Sequence, residues 1–153
     1  MTDLNLDPSG DLAEIRRLIE RYAGYADARK ADEVAELFVE DGELVVWLEP
    51  RTPEPSVRRG RPAIAEAIGF LERFRHTQHV IANSVIEVAV DAATARGMTQ
   101  CTAHHLTVDG ADATDWTVYL RYSDDFARID GRWLIARREL RVMWTTTTPV
   151  EIA

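Results

Sequence analysis

The chain has 153 residues, is 46% hydrophobic, and carries 26 acidic against 18 basic residues for a net charge of −8. That size and apolar fraction suit one folded domain with a real core and exclude a disordered chain. The negative field disfavours nucleic acid as a partner, the single cysteine, Cys101, excludes an intrachain disulfide, and no apolar run approaches the ~20 residues of a membrane span.

Residues 1–10 read as a loose, acidic arm without the apolar segment of a secretory signal, so a cytoplasmic protein is expected. Asp11 is placed to cap a helix running to about Ala28, because Leu12, Ile15, Leu18, Ile19, Tyr22 and Ala26 recur at spacings of three and four. Lys30-Ala31-Asp32 reads as a turn, with Asp32 as the N-cap of a short second helix, EVAELFV. EDG at 40–42 is expected to end that helix, and the β-branched ELVVWL at 43–48 predicts a strand. Residues 49–61 hold three prolines and read as a long loop, of the kind found at pocket rims. Pro62 suits the first position of a third helix, PAIAEAIGFLERF.

From His76 onward the pattern changes. Residues 78–90, 94–108, 115–128 and 132–145 read as four long strands separated by DAA, VDGAD and IDG. Helices followed by a run of antiparallel strands predict an α+β fold. One domain spans 11–146, with 147–153 as a tail. A curved sheet of one short and four long strands, with three helices laid across one face, would enclose a pocket for a small molecule.

No GxGxxG, GxxxxGK[ST] or GxSxG pattern is present, so nucleotide binding and a serine elbow lack support. No metal is expected, since His104 and His105 are adjacent on a strand and point to opposite faces. Cys101, inside a strand, reads as a small buried hydrophobe. At 100° per residue, Asp27 falls about 120° from the centre of the apolar stripe, at the border of the helix face. A carboxylate there also opposes the helix dipole, so periodicity alone leaves Asp27 between a solvated helix end and a pocket. In RHTQHVIANSV, a regular strand would put His79, Ile81, Asn83 and Val85 on one face and Ile86, Val88 and Val90 on the other. Either both faces are covered or a bulge intervenes.

Several segments in order resemble the SnoaL-like branch of the nuclear transport factor 2-like superfamily. They are Y-x-x-Y-A-D on the first helix, ADEVAELFVEDGEL, GRPAI, RHTQHVIANSVIEV, ATARGMTQC and DDFARIDGRWLIARREL, together spanning about Leu12 to Trp144. The resemblance implies a cone-shaped α+β barrel. Scytalone dehydratase, bile-acid 7α-dehydratase and hexachlorocyclohexane dehydrochlorinase in this superfamily use an Asp–His pair. Asp27 matches the Asp position and His79 the His position, with Tyr22 or Tyr25 as the matching acid.

The implied activity is a cofactor-independent lyase or isomerase acting on a small hydrophobic cyclic molecule. In it, His79 is the base, Asp27 its orienting partner and a tyrosine the proton donor. Trp47, Phe70, Asn83, Met98, Trp116, Tyr119 and Trp144 are the expected pocket walls, joined by one last-strand arginine, taken as Arg141. The alternatives are a non-catalytic β-type subunit of a ring-hydroxylating dioxygenase and a small-molecule binding module. A homodimer or homotrimer is also implied.

Overall fold

The computed structural model describes residues 8–48 and 54–152. Helix α1 (Pro8–Asp27) starts before the expected Asp11 cap. Pro8 suits that first turn, where a missing N–H loses nothing. Asp11 lies inside the helix and is buried. Its carboxylate accepts a hydrogen bond from the Trp133 indole at 3.0 Å and faces the Arg128 guanidinium at 3.2 Å. The start of the helix is thereby tied to the last hairpin of the chain. Residues 1–7 of the expected arm lie outside the described residues.

Helix α2 (Ala31–Glu36) follows, with Lys30 rather than Asp32 in the capping position. It is shorter than expected, because Phe38 already belongs to strand β1 (Phe38–Trp47). Glu40-Asp41-Gly42 therefore does not end a helix. It forms an irregularity within β1, where the register shifts between Phe38 and Glu43. The backbone doubles back tightly there: a Cβ on Gly42 would lie 3.0 Å from the Phe38 Cβ. Such a kink has glycine as its natural occupant.

Within the expected 49–61 loop, Ser56–Arg59 form a short strand, β2, antiparallel to β1; residues 49–53 lie outside the described residues. Helix α3 (Arg61–Ile68) continues into a 3₁₀ turn at Gly69–Arg73. The long strands are β3 (His76–Val88), β4 (Thr94–Asp109), β5 (Asp112–Ile129) and β6 (Arg132–Pro149). The first residues of the expected C-terminal tail, 147–149, are thus strand.

The fold is α+β, with a curved, unclosed six-stranded sheet in the order β2-β1-β6-β5-β4-β3. The sheet differs from the sequence expectation in two respects. It gains β2, and β1 runs parallel to β6, so it is mixed rather than wholly antiparallel. The parallel contact was hidden because β1 and β6 stand at opposite ends of the sequence.

The apolar stripe of α1 packs onto the inner face of the sheet. Ile15, Leu18, Ile19, Tyr22 and Ala26 join Phe38, Leu120, Tyr122, Phe126 and Ile135 in one core. Within that core sits a charge pair. Arg138, 0% exposed, donates through Nε to Asp124 at 2.8 Å and through Nη2 at 2.7 Å. Its guanidinium packs against the rings of Tyr22 and Tyr122, at 4.2 and 4.0 Å from their centroids. Burial works against the charge on Arg138, but the adjacent Asp124 carboxylate outweighs it and raises the arginine pKa. Removing one member of such a pair leaves the other charge buried and uncompensated. Asp124→Asn should lower unfolding free energy by about 3–5 kcal/mol, read as a drop in the urea midpoint. A midpoint equal to that of the native protein would contradict this account of the core.

Candidate active site

The segment RYAGYADARK closes α1 with paired backbone hydrogen bonds. Lys30 N–H donates to the Tyr25 carbonyl at 2.9 Å and Arg29 N–H to that of Ala26 at 3.1 Å. This is the Schellman pattern, whose left-handed residue is here Arg29, with φ of 61°. The closure leaves Asp27, the last helical residue, beside the opening residues of β3.

Three donors from β3 hold the Asp27 carboxylate. Oδ2 accepts the backbone N–H of His79 at 2.8 Å. Oδ1 accepts the Thr77 hydroxyl at 3.0 Å and faces His79 Nδ1 at 2.6 Å. Burial disfavours the carboxylate, but the hydrogen bonds from His79 and Thr77 prevail and hold the Asp27 pKa below its ordinary value. An ionised carboxylate only accepts, so Nδ1 of His79 carries the proton and Nε2 keeps its lone pair.

Strand pleat decides what surrounds this pair. Thr77, His79 and Ile81 alternate inward. A bulge between Ile81 and Ser84 then shifts the parity, so that Ser84, Ile86 and Val88 follow on the same face. That bulge resolves the two-sided apolar pattern of the sequence and moves Asn83 off the His79 face. Asn83 is exposed and lines a groove of roughly 450 Å³ between α1 and β3, with Arg16, Ile19 and Glu20.

A residue absent from the expected site lies next to His79. The ring of His105 is 5.9 Å from that of His79, centroid to centroid. It packs at 4.7 Å from Phe74 and 4.9 Å from Trp116. Its Nδ1 is 3.1 Å from the Trp116 carbonyl, a group that only accepts, so Nδ1 bears the proton. Burial lowers the His105 pKa, and the charge of a protonated His79 would lower it further. The signal was present in the sequence: of two adjacent strand histidines, one must face inward.

The other expected site residues are distributed more widely. Trp116 lines the inner face beside His105. Phe70 is 44% exposed, beside Phe74 and under the Arg73 guanidinium at 3.8 Å. Tyr22 is buried against Phe38, Tyr122 and Arg138, and burial raises its pKa. Tyr25 is half-buried against the edge of the core and lines a groove with Arg17 and Arg21.

Trp47, Met98, Tyr119, Arg141 and Trp144 do not line the inner face. Tyr119 and Trp144 stack on the outer face at 4.6 Å, Arg141 lies 4.6 Å over Trp47, and Met98 is 44% exposed. Arg137, Glu139 and Arg141 share the outer side of β6 and bond to one another, which leaves Arg138 as the inward arginine.

Cys101 is buried, and burial pushes its thiol up to about 11, so it remains protonated at neutral pH. His104 and Asp115 form a second contact of 2.6 Å on the outer face. Among the described residues, no group of three or more His, Cys, Asp or Glu side chains is arranged to hold a metal ion, and no helix is long and apolar enough to cross a membrane.

Residues 8–139 match the model of the SnoaL-like domain family. A crystal structure from Novosphingobium aromaticivorans, named provisionally as a scytalone dehydratase, is 30% identical, with a TM-score of 0.75 over 100% of this chain and 94% of that one. A nuclear transport factor 2-like protein with a cystatin-like fold from the same species is 27% identical, with a TM-score of 0.65 over 88% of this chain and 82% of the other. The hexachlorocyclohexane dehydrochlorinase LinA-type3 of Novosphingobium barchaimii is 19% identical, with a TM-score of 0.77 over 97% and 98% of the two chains; that likeness is one of fold. No curated protein matches the chain.

Because the Asp27 pKa is depressed in the folded state, its stabilising effect is present above the unfolded carboxylate value and is lost as pH falls through the folded one. Asp27→Asn should therefore be less stable than the native chain by about 1–3 kcal/mol at neutral pH. The gap should close below about pH 4, as followed by chemical denaturation across pH. A gap unchanged under acid would mean that the carboxylate charge is not what holds β3.

Proposed function

The chain belongs to the SnoaL-like domain family, and from that premise we propose a cofactor-independent lyase or isomerase acting on a small hydrophobic cyclic molecule. One observation carries the reading: the 2.6 Å contact between Asp27 and His79 Nδ1, which leaves Nε2 free as a base beside His105, Phe74 and Trp116. The scytalone dehydratase name of the 30% identical relative supports elimination of water as the type reaction.

In that reaction Nε2 of His79 removes a proton from a carbon next to an activating group. Asp27 stabilises the imidazolium that forms. The departing hydroxyl takes that proton from Nε2 and leaves as water, and the C–H electron pair becomes the new double bond. His105, kept neutral with its proton on Nδ1, offers Nε2 as an acceptor that orients a substrate hydroxyl. Phe74 and Trp116 supply apolar faces for a ring. Tyr22, in the core, and Tyr25, in the groove with Arg17 and Arg21, are less suited to donate a proton than the sequence resemblance implied. The same reading takes the exposed outer-face side chains Val80, Met98 and Trp144 as a self-association surface for a homodimer or homotrimer.

The test is a screen of hydroxylated ring compounds for loss of water or migration of a double bond. For a compound that is turned over, His79→Ala should reduce the rate by about 10²–10⁴-fold while the circular dichroism spectrum stays that of the folded native chain. Undiminished turnover in that variant would overturn the assignment of His79 as base.

A further inference from the structure

Arg29 has a backbone conformation that glycine would adopt at less strain. Its φ of 61° lies in the left-handed region, which is strained for a residue with a Cβ. Glycine is the usual occupant of this place in a Schellman closure. An arginine here calls for a reason in its side chain.

That side chain reaches back across the helix end. Nη1 donates to the Ala26 and Asp27 carbonyls, each at 3.3 Å, and to the Thr77 hydroxyl oxygen at 2.6 Å. Nη2 donates to the Phe74 carbonyl at 3.3 Å. The guanidinium thus meets helix carbonyls that lack intrahelical partners, where a cation is favoured by the dipole. It also bridges α1 to the segment leading into β3.

The contact with Thr77 has a directional consequence. A guanidinium cannot accept a hydrogen bond, so the Thr77 oxygen must accept from it. The single hydroxyl proton of Thr77, which is 1% exposed, is then free to point only at Asp27 Oδ1, 3.0 Å away. That proton and the His79 amide then hold the Asp27 carboxylate from two sides, with Oδ1 against His79 Nδ1–H. We infer that Arg29 is a positioning residue for the Asp27–His79 pair, keeping the Asp27 carboxylate seated on His79 Nδ1–H through the hydroxyl proton of Thr77. Its consequence for turnover rests on the lyase reading, but the relay itself can be observed without substrate.

The experiment uses full-length protein labelled with ¹⁵N in the histidine rings, with His79 assigned from the spectrum of His79→Gln. Spectra are recorded at mildly alkaline pH, where imidazoles are neutral. The native chain and Thr77→Ser should show one His79 tautomer, protonated at Nδ1. Arg29→Gly suits the backbone and removes only the clamp; it should keep that tautomer but show about tenfold faster exchange of the Nδ1 proton, the equivalent of one net hydrogen bond. Thr77→Val should do the same, and the double variant should go no further than either single one, as for residues acting through each other. A native-like exchange rate of the His79 Nδ1 proton in Arg29→Gly, or effects that add in the double variant, would overturn the relay. Should Arg29→Gly fail to fold, Arg29→Met, which keeps the apolar stem but cannot donate, takes its place with the same two outcomes. Turnover is not read, so failure of the lyase assignment would leave this result standing.

Discussion

A carboxylate at the end of a helix is out of place by dipole arguments, and the fold around Asp27 is arranged so that it is satisfied there. Three hydrogen bonds from two residues of β3 hold it. Because Asp27 is the last residue of α1, these bonds also fix where the helix ends against the sheet edge. That edge matters: β3 has a neighbour on one side only, so α1 is what confines its other flank. The group that orients the candidate base is thus also a joint between the two layers of the fold.

At the opposite end of α1, Asp11 performs a similar task toward the β5–β6 hairpin through Trp133 and Arg128. The helix is moored by a carboxylate at each end, with its apolar stripe in between. The Asp124–Arg138 pair lies between these two ends, its guanidinium packed against both Tyr22 and Tyr122. Polar contacts therefore set the position of the helix, while apolar burial supplies most of the attraction.

Much of this was legible in the sequence wherever one physical rule acted alone. The three-four spacing of α1 gave its buried stripe. Alternation and turn residues gave the four long strands. Adjacent histidines on a strand had to face opposite ways, and His104 and His105 do. Other features depended on contacts that sequence spacing does not encode. Glu40-Asp41-Gly42 carries turn chemistry, yet it is a kink inside β1, because pairing with β6 and β2 overrides local preference. Arg137, Arg138 and Arg141 differ only in parity. A single register decides that Arg138 faces in, and that register is set by the distant partners Asp124 and Leu44. Asn83 left the His79 face through one bulge. Trp47, Tyr119 and Trp144 were expected as pocket walls from their aromatic character, and the pleat turns them outward. Asp27 lay on a border by periodicity, and only the closure at Arg29 brought it beside β3.

The second histidine–carboxylate contact, His104 with Asp115, places the same chemical unit on the outside of the same sheet. The two contacts share a ring nitrogen, a carboxylate and a 2.6 Å separation. They differ in enclosure: the His104 side chain is 39% exposed and the His79 side chain 8%. The molecule therefore carries its own internal reference. Any difference in reactivity between the two imidazoles measures what an aromatic, water-poor surrounding adds to a pair that is otherwise alike.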